Sequence, residues 1–122
     1  MNVLIVESSK DLATVWRRHL ERMGAVVYTA DTQDSATDLL HEIPFSVIVL
    51  DLVLEEGSAL AVADFASYRQ PETRVIFVTN TSFFSDGSIF RHCANACAYL
   101  PSATPPSDLA TMVEHYAQAA EG

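Results

Sequence analysis

Seven consecutive residues, Phe45-Ser46-Val47-Ile48-Val49-Leu50-Asp51, constrain the fold of this chain more than any other stretch. They form a short apolar run with several β-branched side chains and a carboxylate at its C-terminal end. Pro44 stands before the run, and Glu55-Glu56-Gly57 punctuate the loop after it. An apolar run of this length without polar alternation reads as a strand buried on both faces, as in a parallel sheet. Parallel neighbours need crossover connections, usually helical, so the strand demands a strand-then-helix alternation around it. In an open α/β sheet, ligands and chemistry gather at the carboxyl ends of the strands, and Asp51 falls at such an end.

The rest of the chain supplies that alternation. Val3 to Val6 is a first apolar run and a central strand. Ser8 or Ser9 can cap the helix that follows, with Asp11 in its first turn. Leu12, Val15, Trp16, Leu20 and Met23 recur there at helical spacing, opposite Arg17, Arg18, Glu21 and Arg22, and Gly24 suits the position just past the helix end. Ala25 to Tyr28 is a less uniformly apolar strand, suited to an edge. Asp31 or Thr32 caps a second helix carrying Ala36, Leu39 and Leu40, which stops at Pro44. After the Phe45–Leu50 strand, a third helix is expected from about Ser58 to Tyr68, burying Leu60, Ala63 and Phe65, and broken by Pro71. Arg74 to Val78 is a fourth strand ending at Thr79. A fourth helical stretch from Thr81 or Ser82 carries Phe84, Ile89, Phe90 and Cys93, with Gly87 inside it costing about 1 kcal/mol relative to alanine. Ala98 to Leu100 is a short fifth strand. After a proline-rich turn, Pro105 or Pro106 opens a last helix with the stripe Leu109, Met112, Val113 and Tyr116.

Five strands alternating with five helices predict a flavodoxin-like (βα)5 fold: one α/β domain spanning 1–122, with helices on both faces of a parallel five-stranded sheet. The order 2-1-3-4-5 puts strands one and three side by side. It brings Glu7 close to Asp51, with Thr79 on the other side of Asp51. The 122 residues suit one domain with a real core, and a hydrophobic fraction of 49% with 19% charged residues is that of a globular chain.

The formal net charge of −9 argues against nucleic acid and anionic membrane surfaces as partners, since both need lysine and arginine. Val3-Leu4-Ile5-Val6 is too short for a signal peptide, and nothing approaches the ~18–20 apolar residues of a membrane span. The two cysteines, Cys93 and Cys97, make no disulfide framework, so a reduced, cytoplasmic setting is expected. His92, Cys93 and Cys97 lack the fourth ligand of a structural zinc site and read as packing.

Strand one ends in an acid (VLIVESS), strand three in Asp (VIVLDL) and strand four in Thr (VIFVTN), and strand five carries an aromatic (AYL). In this order and spacing, over essentially the whole chain, the sequence resembles the receiver domain of two-component response regulators. The resemblance implies a non-enzymatic signalling domain in which Asp51 accepts a phosphoryl group from a histidine kinase or phosphotransfer protein. It implies a Mg²⁺ cofactor held by Glu7, Asp51, the backbone carbonyl of Val53 and the residue at position 8. It makes Thr79 and Tyr99 the switch residues. It implies a downstream partner, or a second copy, bound through the fourth helix, fifth strand and fifth helix.

The sequence also departs from the family pattern. Position 8, usually the second acid, is Ser8, which offers only a neutral oxygen. The position of the family lysine, three residues after the aromatic, is Ser102, and the usual cis-proline position is Ala103, so a trans peptide is expected there. Asn80 stands where a small residue is usual. Two carboxylates without a lysine keep the net charge of three carboxylates with one. Lys10, in the loop after Glu7, reads as an exposed side chain on the first helical turn. Two readings follow: a phosphorelay receiver using Asp51, and a phosphorylation-independent receiver serving as an interaction or dimerisation module. A flavin-binding or hydrolytic use of the same fold stands well behind both. With no effector region in 122 residues, output is expected through binding, or through a larger regulator of which this chain is a piece.

Overall fold

The computed structural model describes residues 1–79 and 96–121. Its elements are β1 (Asn2–Val6), α1 (Lys10–Arg22), β2 (Val26–Ala30), α2 (Gln33–Glu42), β3 (Val47–Asp51), α3 (Ala59–Arg69), β4 (Arg74–Thr79), β5 (Ala96–Pro101) and α4 (Pro106–Glu121). All strand pairings are parallel, in the order β2-β1-β3-β4-β5. The flavodoxin-like sheet expected from the sequence is therefore present. The expected helical stretch beginning at Thr81 or Ser82 lies outside the described residues, as do Asn80, His92 and Cys93.

The helix starts follow from single side chains. The Ser9 hydroxyl accepts from the Leu12 N–H and caps α1. Thr32 and Ser35 form a reciprocal capping box on α2, and Ser58 caps α3 by accepting from the Ala61 N–H. Pro106 is the first residue of α4. Gly24, at φ 96°, turns the chain out of α1 in a conformation that costs an L side chain energy.

Alternation along the central strands sends side chains to two core layers. Leu4, Val6, Ile48, Leu50, Val75 and Phe77 pack with α2 and α3. Val3, Ile5, Val47, Val49, Ile76 and Val78 pack with Trp16 and Leu20 of α1 and Val113 of α4. Both faces are covered, which is why β3 needs no polar positions. Ile48→Val, which trims one methyl group from a fully buried site, is expected to cost about 0.5–1.5 kcal/mol, read as a shift in the urea midpoint.

Several boundaries and burials differ from the sequence expectation. β2 runs from Val26 to Ala30 rather than from Ala25 to Tyr28, because its register with β1 pairs Asn2 with Val26 and Val6 with Ala30. β3 spans Val47–Asp51, and Phe45 lies outside it, its N–H donating to the Gln70 side chain instead of to a neighbouring strand. β5 is longer than expected, Ala96–Pro101. Val15 and Leu60 are each 39% exposed, not buried. On α3, Ala63 is buried as expected, Ala59, Val62 and Ala66 complete the buried face, and Phe65 is only half-buried. The segment ALAVADF is apolar nearly all round, so spacing alone does not single out the inward face. Among the described residues there is no cis peptide bond and no helix long and apolar enough to cross a membrane.

Candidate functional site

The register of three strands builds the site. Val6 pairs with Leu50, and Asp51 pairs with Val78. One further residue along β1 is Glu7 and along β4 is Thr79, so both flank Asp51. The Glu7 N–H still donates to the Ala30 carbonyl at 3.0 Å, which holds Glu7 as an extension of the strand.

The Glu7 side chain is buried, at 5% exposure. Its Oε1 accepts from the Ser9 N–H at 3.1 Å, while its Oε2 is buried without a hydrogen-bond partner. Burial pushes its carboxyl up from 4.5 to about 8. A hydrogen bond that its protonated form can make to Asp51 adds to this, the Ser9 N–H opposes it, and repulsion from the Asp51 charge adds again. As an anion, Glu7 has no donor for Oε2; as an acid, it can donate to the neighbouring carboxylate. Asp51 is half-buried, and its Oδ1 accepts from the Val53 N–H at 2.9 Å, which fixes the plane of the carboxylate. Val53 itself is 61% exposed.

Ser8 lies beside this pair with its hydroxyl engaged twice. Oγ donates to the Asp31 carbonyl at 3.3 Å and accepts from the Glu55 N–H at 2.9 Å. Thr79 is buried, and its carbonyl accepts from the Ser102 N–H at 2.8 Å, tying the loop after β5 to the end of β4. Ser102 is half-buried. Tyr99 pairs with Phe77 across β4 and β5, and its partly buried ring packs against the core layer under α2 and α3. Lys10 is exposed at the start of α1, as expected. With Glu7, Thr14, Arg17, Thr29 and Asp31 it lines a groove of about 350 Å³.

A hard divalent cation such as Mg²⁺ binds through one or two carboxylates plus waters and phosphate. Glu7, with a buried oxygen lacking any donor, beside the Asp51 carboxylate, is a donor pair of that kind. Among the described residues no group of three or more His, Cys, Asp or Glu side chains could hold a metal. Protein ligation would thus rest on two carboxylates and, at most, a backbone carbonyl.

Sequence reasoning brought Glu7, Asp51 and Thr79 together and missed Gln33. The Gln33 N–H donates to the Glu56 carbonyl at 3.2 Å, and its Oε1 accepts from the Ser58 N–H at 2.8 Å. Gly57, at φ 93°, packs against it. A glutamine at a helix start carries no sequence signal for that role; the only hint was the glycine after Glu55-Glu56.

Comparison with known proteins bears on this geometry. A family model described as the response regulator receiver domain matches residues 3–113. The response regulator receiver protein CpdR of Brucella abortus (strain 2308) is 30% identical over 77 residues, which is 63% of this chain and 64% of CpdR. The match thus spans a little under two-thirds of that relative. A CheY-like response regulator receiver domain protein from Methanospirillum hungatei JF-1 superposes with a TM-score of 0.89 at 21% identity, covering 98% of this chain and 95% of that one. A response regulator protein from Burkholderia pseudomallei, solved with a phosphorylated aspartic acid, a calcium ion and citrate, superposes with a TM-score of 0.83 at 24% identity. That superposition covers 98% of this chain and 70% of that one.

Proposed function

The chain belongs to the response regulator receiver domain family, and from that premise we propose that it is a phosphorelay receiver that accepts a phosphoryl group on Asp51. The observation that carries the reading is the carboxyl pair at the ends of β1 and β3, with Asp51 held by the Val53 N–H and Glu7 presenting a buried oxygen without a donor. The donor is a histidine kinase or a phosphotransfer protein, or a small acyl phosphate. An Asp51 carboxylate oxygen attacks phosphorus, the bond from phosphorus to the donor's nitrogen or oxygen breaks, and the electron pair leaves with the donor. The product is an aspartyl phosphate.

Such a transfer needs placement and charge neutralisation more than covalent help. Glu7, Asp51 and the Val53 carbonyl would hold a Mg²⁺ ion, which would supply that neutralisation. Val53 orients the nucleophile through its N–H. Thr79, one residue past the β4 partner of Asp51, offers a hydroxyl to the new phosphoryl oxygens. Tyr99, on the next strand, relays the change to an outer face formed by β5 and α4, which meets a downstream protein or a second copy. We take residues 1–122 as one receiver unit acting in the cytoplasm. The phosphorylated aspartate and calcium ion of the Burkholderia pseudomallei relative support this chemistry for the fold.

Intact mass after incubation with acetyl phosphate and Mg²⁺ tests the proposal. One phosphoryl increment is expected, absent in Asp51→Asn. A second reading, an interaction module that works without phosphorylation, is favoured by Ser102 standing where the family has a lysine. An unmodified mass under those conditions supports it. On the first reading, Ser102→Lys restores a charge-assisted contact of about 1.5–3 kcal/mol. It is expected to tighten binding of beryllium fluoride, a phosphoryl mimic, by about tenfold or more in a titration.

A further inference from the structure

The loop between β3 and α3 crosses the site and is pinned at two places. Gln33 holds Glu56 and Ser58 from the start of α2. Ser8 holds Glu55 from the loop after β1, and anchors itself on Asp31 after β2. The Ser8 contacts require one atom to be donor and acceptor at once: it gives a proton to a carbonyl and takes one from an amide. A hydroxyl does both, whereas an ionised carboxylate only accepts. An acid at position 8 would therefore face the Asp31 carbonyl without a proton to offer. It would also add charge to a region already holding Glu7, Asp31, Asp51, Glu55 and Glu56.

We propose that Ser8 is a positioning residue whose hydroxyl clamps the β3–α3 loop to the end of β2, and through Val53 keeps the Asp51 carboxylate aimed for attack. Val53 lies between the two fixed points, Asp51 at the strand end and Glu55 at Ser8, and its N–H is the group that holds Asp51 Oδ1. The serine is thus a replacement with its own task. The effect on rate rests on the phosphoacceptor reading above; the effect on the loop does not.

The test compares wild type, Ser8→Ala and Ser8→Thr by amide hydrogen exchange at Glu55 and by the kinetics of phosphorylation with acetyl phosphate and Mg²⁺. Ser8→Ala is expected to speed exchange at Glu55 about tenfold and to lower the maximal phosphorylation rate about tenfold. The acetyl phosphate concentration giving half that rate should stay unchanged. Ser8→Thr, which keeps the hydroxyl, is expected to restore both. Unchanged Glu55 exchange in Ser8→Ala overturns the clamp. Faster exchange with an unchanged rate overturns the positioning role. A wild-type protein that takes no phosphoryl group removes the phosphoacceptor reading and with it the aiming of Asp51, while Glu55 exchange still decides the clamp.

Discussion

Glu7→Gln is expected to stabilise the metal-free protein at pH 8 by several kcal/mol and to remove most of the dependence of stability on pH between about 5 and 8. The Glu7 carboxyl is pushed up from 4.5 to about 8 by burial and by Asp51. Below pH 4.5 the folded and unfolded chains both hold the proton, and Glu7 imposes no penalty. As pH rises, the unfolded chain releases the proton while the folded chain keeps it, so the unfolded state binds fewer protons and stability falls. Each pH unit in that window is worth about 1.4 kcal/mol, so the penalty by pH 8 is on the order of a few kcal/mol. Glutamine mimics the protonated acid: its amide can donate to Asp51 and it does not ionise. Urea unfolding of both proteins at pH 5 and pH 8 reads the effect. Saturating Mg²⁺ should flatten the wild-type slope, because a dication takes the place of the proton, and should leave Glu7→Gln far less affected. A Glu7→Gln protein less stable than wild type at pH 8 without Mg²⁺ would contradict the buried-acid account.

Gly57→Ala is the second large expectation, a loss on the order of 3 kcal/mol with loosening of the β3–α3 loop. Two causes add. At φ 93° an L side chain costs about 1–2 kcal/mol. The new methyl would also overlap the Gln33 Cβ and sit 3.3 Å from the Gln33 nitrogen, so backbone as well as side chain must shift. That shift strains the hydrogen bonds from Gln33 to Glu56 and Ser58, each worth about 1 kcal/mol. Gly24 separates the causes. It has a similar φ of 96°, yet a Cβ there would meet nothing within 4 Å. Gly24→Ala should therefore show the conformational cost alone. Equal losses at the two glycines in urea unfolding would show that the Gln33 contact contributes nothing.

Legibility from sequence followed the range of the forces involved. β1, β3 and β4 were readable because both faces are buried and the apolar runs are unbroken. The starts of α1, α2 and α3 were readable to within a residue, near Ser9, Thr32 and Ser58, because a hydroxyl and an N–H a few residues away settle them locally. The juxtaposition of Glu7, Asp51 and Thr79 followed once strand order was inferred, since parallel register carries three distant residues to one sheet end. The α3 face was misread at Leu60, where alanines pack inward and the larger leucine is left outside. The Ser8–Glu55 contact was invisible for a different reason: it joins loops 47 residues apart, and nothing in the composition of either loop marks the approach. Ser8 looked like the loss of an acid, while the fold gives it two hydrogen bonds that an ionised acid could not make together.

Asp51, paired with Glu7, is the proposed phosphoryl acceptor. The decisive experiment is to treat the protein with acetyl phosphate and Mg²⁺, reduce with borohydride, and sequence the peptide spanning Phe45 to Glu56 by tandem mass spectrometry. Borohydride converts an aspartyl phosphate to homoserine and leaves a free aspartate alone. Homoserine at position 51, dependent on both acetyl phosphate and Mg²⁺, is the predicted result. An unmodified Asp51, or homoserine only at another position, would contradict it.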